Sequence, residues 1–179
     1  GRSHECDYPA TIASLPVCTA PKFDTKVPSV EIDKSVRSLV ENALSVYKVH
    51  DEVLERLRPD VIVTQSQCEL CAVSQTDVEA SVAAVLDQET RIASMDAVDL
   101  DGLWTDIICV GNALGVDPTG VIVGLKDRLQ TIKDEFESTS GPTVACLEWV
   151  DPLMFVGNWV PELVSLAGGT DVFASAGQH

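Results

Sequence analysis

The chain has 179 residues, 45% of them hydrophobic, which is enough to bury a core as one domain or two small lobes and is the composition of a globular protein. A formal net charge of −16 with only 12 basic residues argues against nucleic acid or an anionic membrane as partner, because phosphate recognition needs clustered Lys and Arg. No apolar run approaches the roughly 18 residues of a membrane span, no signal-peptide pattern is visible ahead of Gly1, and most of the six cysteines sit in apolar strand-like or helical contexts, which sets aside membrane insertion and a secreted disulfide scaffold.

In chain order, Glu31, Ile32, Asp33, Val36, Leu39, Val40, Ala43 and Leu44 have helical spacing. After the short stretch Val46 to Val49, Asp51 is expected to cap a second helix through Val53, Leu54 and Leu57, which Arg58-Pro59-Asp60 stops. Val61-Ile62-Val63-Thr64 is apolar and β-branched and reads as a strand buried on both faces. Ser74-Gln75-Thr76-Asp77 has capping character and opens a helix through Val78, Val82, Val85 and Leu86, and Arg91 to Met95 reads as a second, parallel strand. Leu100, Leu103, Trp104, Ile107, Ile108 and Leu114 give the next helix one apolar face, closed by Gly115. Asp117-Pro118 starts a long helix through Val121, Ile122, Leu125, Leu129, Ile132 and Phe136. Thr143 to Leu147 reads as one strand, and Trp159 to Ala167 as a helix closed by Gly168-Gly169. The alternation predicts an α/β protein of parallel-sheet, Rossmann-like lobes joined by a helical spine: an N-terminal lobe over 1–116, the spine over 117–140 and a partial C-terminal lobe over 141–179.

Three short segments concentrate reactive side chains. Cys68 and Cys71 follow the strand Val61 to Thr64 at its carboxyl end, where open α/β sheets place ligands; such a pair is half of a zinc site, a redox disulfide, or two inert thiols lining a turn. His4-Glu5-Cys6-Asp7 is the densest metal-capable tetrad, so a zinc ion held by Cys68 and Cys71 would take Cys6 and His4 or a carboxylate as its remaining ligands, although Asp7-Tyr8-Pro9 also reads as a plain turn. Glu148, Trp149, Trp159 and Glu162 form the third group, where an indole is either a lid on the core or a flat wall for a planar ligand. Pro161 in the first turn of the last helix makes its amino end a preformed place for an anionic ligand group. Dinucleotide and Walker loops, a Ser-His-Asp order and a Gly-x-Ser-x-Gly elbow are all absent from the sequence, so no catalytic residue is assigned.

Arg2-Ser3-His4-Glu5-Cys6-Asp7-Tyr8-Pro9, Leu57-Arg58-Pro59-Asp60-Val61-Ile62-Val63-Thr64-Gln65, Cys68-Glu69-Leu70-Cys71-Ala72-Val73-Ser74 and Glu148-Trp149…Asp151-Pro152…Gly157-Asn158-Trp159-Val160-Pro161-Glu162…Ala167-Gly168-Gly169 together resemble the cobalamin-binding-protein-like branch of the substrate-binding proteins of ABC importers, the helical-backbone type. The Arg-Pro-Asp-Val-Ile piece recurs across that superfamily, whereas the His-Glu-Cys-Asp-Tyr-Pro and Cys-x-x-Cys-Ala-Val-Ser pieces belong to this branch. The resemblance implies a corrinoid, haem or iron-siderophore type of ligand, an ABC permease as partner and a periplasmic setting, while the thiol usage also suits a reducing compartment. It also implies a strand and helix before the first motif and a strand-helix-strand series after the last. With a truncated second lobe, the chain is therefore expected either to be a fragment of a longer one or to be a reduced homologue that covers its free strand edges by self-association through the lobe containing Thr143 to Leu147.

The expectation carried forward is a non-enzymatic binding protein holding a corrinoid or similar metal-containing planar ligand between lobes. Tyr8, Gln65, Glu148, Trp149, Asn158, Trp159 and Glu162 are its ligand-facing residues, and His4, Cys6, Cys68 and Cys71 converge at its floor, their sulfurs within roughly 4 to 8 Å. Cys18, Cys109 and Cys146 lie elsewhere. The alternative is a zinc- or thiol-handling protein or enzyme that uses the His4, Cys6, Cys68 and Cys71 cluster on the same fold.

Overall fold

A computed structural model describes residues 1–42, 45–67, 73–86, 90–136 and 141–178. The chain is a mixed α/β protein that divides into two compact units, Gly1–Met95 and Asp96–His179.

In the first unit Arg2 pairs with Val17 in an isolated parallel bridge and Ala10–Ser14 forms a 3-10 turn. Strand β1 (Thr19–Pro21) runs antiparallel to β2 (Tyr47–Val49), with Thr19 opposite Val49 and Pro21 opposite Tyr47. The sequence signal for β1 is weak because Pro21 cannot donate to a ladder and suits only an edge or a strand end. Helix α1 (Ser29–Glu41) precedes β2, and α2 (Asp51–Leu57) follows it. The cap of α2 is His50 rather than the expected Asp51: the His50 amide still bonds Cys18 O at 2.8 Å, and its carbonyl accepts from Val53 and Leu54, so Asp51 falls in the first turn, where its charge favours the free amides. Arg58 closes the helix in the left-handed region at φ 45°, just ahead of Pro59.

Strand β3 (Val61–Gln65) then pairs in parallel with β4 (Arg91–Met95), Val61 opposite Arg91 through Gln65 opposite Met95. Helix α3 (Gln75–Val85) precedes β4, with Ser74 Oγ accepting from Asp77 N at 3.1 Å as its capping pattern predicts. The core of the unit is Val46, Tyr47, Val73 and Val78, packed with Phe23, Val36, Ile62, Val82 and Ile92. Burial of β3 on both faces does not hold: Ile62 packs on this core while Val63, on the opposite face, is 44% exposed. Side chains alternate across a strand, so Val63 points away from the core on which Ile62 packs.

In the second unit Asp99 Oδ1 accepts from Gly102 N at 2.7 Å and opens α4 (Leu100–Leu114), which ends at Gly115 with φ 69°. Helix α5 (Thr119–Phe136) is the expected long helix, started by Asp117 Oδ1 accepting from Thr119 N at 2.9 Å. Lys126 on α5 places its ammonium 5.2 Å from the centre of the Trp104 ring on α4. The expected single strand Thr143 to Leu147 is two. Strand β5 (Thr143–Val144) pairs in parallel with β8 (Thr170–Asp171), while β6 (Leu147–Val150) turns back through Asp151-Pro152 onto β7 (Leu153–Phe155) as an antiparallel hairpin. The break follows from partners: β8 offers only two paired residues, so beyond Val144 the chain must find its ladder elsewhere. Helix α6 (Val160–Leu166) links the hairpin to β8, and Gly168 at φ 79° follows its end. No described helix is long and apolar enough to cross a membrane.

Candidate functional site

The amino-terminal motif forms a loop laid against β1 and β2. Thr19 Oγ1 on β1 accepts from His4 N at 3.1 Å, lies 2.7 Å from His4 Nδ1 and 3.1 Å from Ser3 Oγ. The His4 ring is tilted against Tyr47 with centroids 5.3 Å apart, and its Nε2 stands 3.9 Å from the Glu5 carboxylate. His4 is thus turned in toward the strands and engaged there, while Glu5, Cys6, Asp7 and Tyr8 are exposed, Tyr8 at 87%. Burial, and secondarily the Glu5 charge, push the Tyr47 hydroxyl above its ordinary pKa. Cys6 is a free, exposed thiol. Cys68 and Cys71 lie outside the described residues, and with them the expected convergence on Cys6. Among the described residues no three His, Cys, Asp or Glu side chains gather as a metal-ligand set. Cys18, Cys109 and Cys146 are free and partly buried.

At the carboxyl end of β3 the ladder continues one step, with Ser66 N donating to Met95 O at 2.8 Å. Here Gln65 and Ser66 from the strand meet Ser74, Gln75, Thr76 and Glu79 from the start of α3 around a cavity of about 240 Å³. Gln75 Nε2 donates to Glu79 at 2.7 Å, which ties down the one charge among the described lining residues. The rest is neutral amide and hydroxyl, a surface that recognises hydrogen-bonding groups without demanding a charge. The volume is below the roughly 300 Å³ at which a pocket encloses a drug-sized ligand, so it suits one edge of a larger molecule. Gln65 is one of the ligand-facing residues expected from the sequence. The hydroxyls around it are not, although a polar run between a strand end and a helix start is the place where a parallel sheet gathers such groups.

In the second unit Glu148 is exposed on β6, and Trp149 beside it donates its indole N–H to Asp151 O at 2.9 Å, inside its own hairpin. Asn158 takes the left-handed conformation at φ 55°, its backbone N–H donating to Gln178 O at 2.7 Å and its backbone carbonyl accepting from Gly177 N at 3.2 Å. Trp159, partly buried, caps α6. Glu162 Oε2 accepts from Leu100 N at 2.8 Å and so closes the amino end of α4 together with Asp99. A wider cavity of about 660 Å³ lies among α6, β8, Leu100 and Lys133, and of the expected ligand-facing residues only Glu162 lines it. Asp171 on its wall accepts from Phe173 N and Ala174 N at 3.0 and 2.9 Å, which holds its carboxyl below the usual range, with the Cys146 thiol a lesser contributor. The expected anionic subsite at the start of α6 has little to stand on, since that helix is only seven residues long.

No protein-family model matches the sequence, and no curated protein matches it. Solved structures do. An ABC transporter substrate-binding protein from Listeria monocytogenes superposes with a TM-score of 0.52 at 19% identity, over 69% of this chain and 46% of its own. The periplasmic vitamin B12 binding protein BtuF of Vibrio cholerae superposes with a TM-score of 0.51 at 18% identity, over 72% of this chain and 49% of its own. The chain thus spans about half the length of each. At such identities the likeness is one of fold alone, shared with these two structures over that part of their length.

Proposed function

We propose that the chain binds a small ligand as ABC-importer substrate-binding proteins do, and that the ligand is a corrinoid or another metal-containing planar molecule. The observation that carries the reading is the shared fold with two such proteins, one of which binds vitamin B12. Local chemistry supports it. A corrin-type ligand has a broad apolar face and a rim of neutral carboxamides, which suits an exposed Tyr8 ring and the amide and hydroxyl lining beside Gln65. In the second unit Trp149, Trp159, Asn158 and Glu148 are the remaining ligand-facing candidates, whereas Glu162 serves α4 and contributes at most one free oxygen. No catalytic role is proposed. An ABC permease is the partner this reading implies, and an extracytoplasmic compartment its setting.

The test is a titration of the purified chain with cyanocobalamin, followed by absorbance and calorimetry. Saturable binding is expected, weakened by about 1 to 3 kcal/mol in Tyr8→Ala and in Trp149→Ala or Trp159→Ala where the ring packs on the ligand. An indole whose removal lowers the melting temperature and leaves affinity intact is part of the core. A colourless protein that carries zinc and ignores cyanocobalamin would replace this reading with metal handling through His4, Cys6, Cys68 and Cys71.

A further inference from the structure

The loop that presents Tyr8 has almost no apolar anchor, since its residues from Glu5 to Ala10 are exposed. What shapes it is the residue at its root. The Arg2 backbone is fixed on both sides, its amide donating to Pro16 O at 2.9 Å and its carbonyl accepting from Cys18 N at 2.8 Å. From that anchored point the guanidinium reaches into the loop, Nη1 donating to Ser3 O at 3.1 Å and Cys6 O at 3.0 Å, and Nη2 to Ala13 O at 3.5 Å. Cys6 N closes the same turn onto Ser3 O at 3.3 Å. Three carbonyls from both flanks of Tyr8 are thereby gathered on one planar group. Thr19 adds a second hold through the His4 amide and ring.

We propose that Arg2 is a positioning residue for ligand capture: by gripping the carbonyls of Ser3, Cys6 and Ala13 it preorganises the loop so that Tyr8 meets the ligand without first being ordered. This rests on the corrinoid reading given above. Ordering a free loop at the moment of binding subtracts from affinity, and a clamp that has ordered it beforehand restores it. The guanidinium reaches the carbonyls of both flanks from two separate nitrogens, whereas the three donors of a lysine share one compact ammonium that cannot take both places.

A double-mutant cycle on the full chain decides it, with cyanocobalamin as the probe. Arg2→Lys is expected to raise Kd about 10-fold when Tyr8 is present and less than about 2-fold in a Tyr8→Ala background, with the unfolding midpoint unchanged. Thr19→Val, which keeps the strand and removes the second hold, is expected to follow the same pattern. A residue that merely supported the fold would give the same loss in both backgrounds. Equal affinities of wild type and Arg2→Lys, or losses that add in full to that of Tyr8→Ala, overturn the clamp while leaving the corrinoid reading standing. A wild-type chain that ignores cyanocobalamin overturns the corrinoid reading instead, and the clamp is then judged by hydrogen exchange at the Cys6 amide. Exchange about 10-fold faster in Arg2→Lys, with the core amides unmoved, upholds it. Unchanged exchange overturns it.

Discussion

Gly141 and Gly168 come so close that a Cβ on Gly141 would fall on the Gly168 carbonyl, with Gly169 N about 3.1 Å away. The contact is backbone against backbone, so no side-chain rotation relieves it. It lies where β5 begins and α6 hands over to β8, with Thr170 N bonded to Pro142 O at 3.0 Å. Gly141→Ala is therefore expected to force the two segments apart and cost on the order of 2 kcal/mol, the range of an overpacked interior. Urea unfolding followed by tryptophan fluorescence measures it, and a midpoint equal to wild type would show that the segments part freely. Residues of this kind are only half legible. Gly141-Pro142 and Gly168-Gly169 announce a turn and a helix end in the sequence, but nothing local says that the two must touch. The same holds at Thr19, whose hydroxyl holds the His4 loop from 15 residues away in the chain.

Among the elements, α4 shows how capping and burial combine. Asp99 and Glu162 satisfy amides at its amino end, while Asp106 inside it, 8% exposed, accepts from Asp96 N at 3.3 Å and Ala97 N at 3.0 Å. Asp106→Ala leaves buried donors without partners and is expected to cost about 1 to 3 kcal/mol. Asp106→Asn keeps one acceptor oxygen, so its loss should be clearly smaller. If thermal unfolding ranks the two equally, the hydrogen bonds do not account for the burial. Asp99→Ala should cost about 1 kcal/mol as a lost cap. These elements also mark where sequence reading succeeds. Helices α3, α4 and α5 carry their own signals in the Ser74 capping pattern, the Asp117-Pro118 start and apolar faces at 3.6-residue spacing, so local chemistry suffices. The hairpin β6 to β7 and the pair β1 to β2 do not, because a strand of three or four residues is defined by the partner it finds rather than by its own composition. In the candidate site, the neutral lining at Ser66, Ser74, Gln75 and Thr76 emerges only when β3 and α3 meet, because no local pattern in the sequence says that these two segments are neighbours.

At the scale of the whole chain, the distribution of aromatic and titrating groups gives each unit its own pH limit and its own reporter. Tyr8 and Tyr47, the only tyrosines, lie in the first unit; Trp104, Trp149 and Trp159, the only tryptophans, lie in the second. Tyr47 is held above its ordinary pKa by burial and by Glu5, so the folded first unit favours the neutral phenol. Its contribution to stability is fully present below the unfolded value of about 10 and is lost as pH rises through the higher folded value. The second unit has the opposite sign. Asp117 is held down chiefly by its hydrogen bonds from the Thr119 side chain and amide, and Asp171 by the Phe173 and Ala174 amides. A lowered carboxyl contributes stability above the unfolded value of about 3.9, and that contribution disappears as pH falls through the folded value. Asp117 is exposed to water and screened, so its share of the acid effect should be modest and should shrink with salt. Urea midpoints read from tyrosine absorbance are therefore expected to drop as pH is raised above about 10, and those read from tryptophan fluorescence as pH is lowered below about 4. Tyr47→Phe should remove the alkaline drop, since phenylalanine keeps the packing and has no proton to lose. An alkaline drop that survives Tyr47→Phe, or an acid drop that appears only in the tyrosine signal, would show that other groups set these limits.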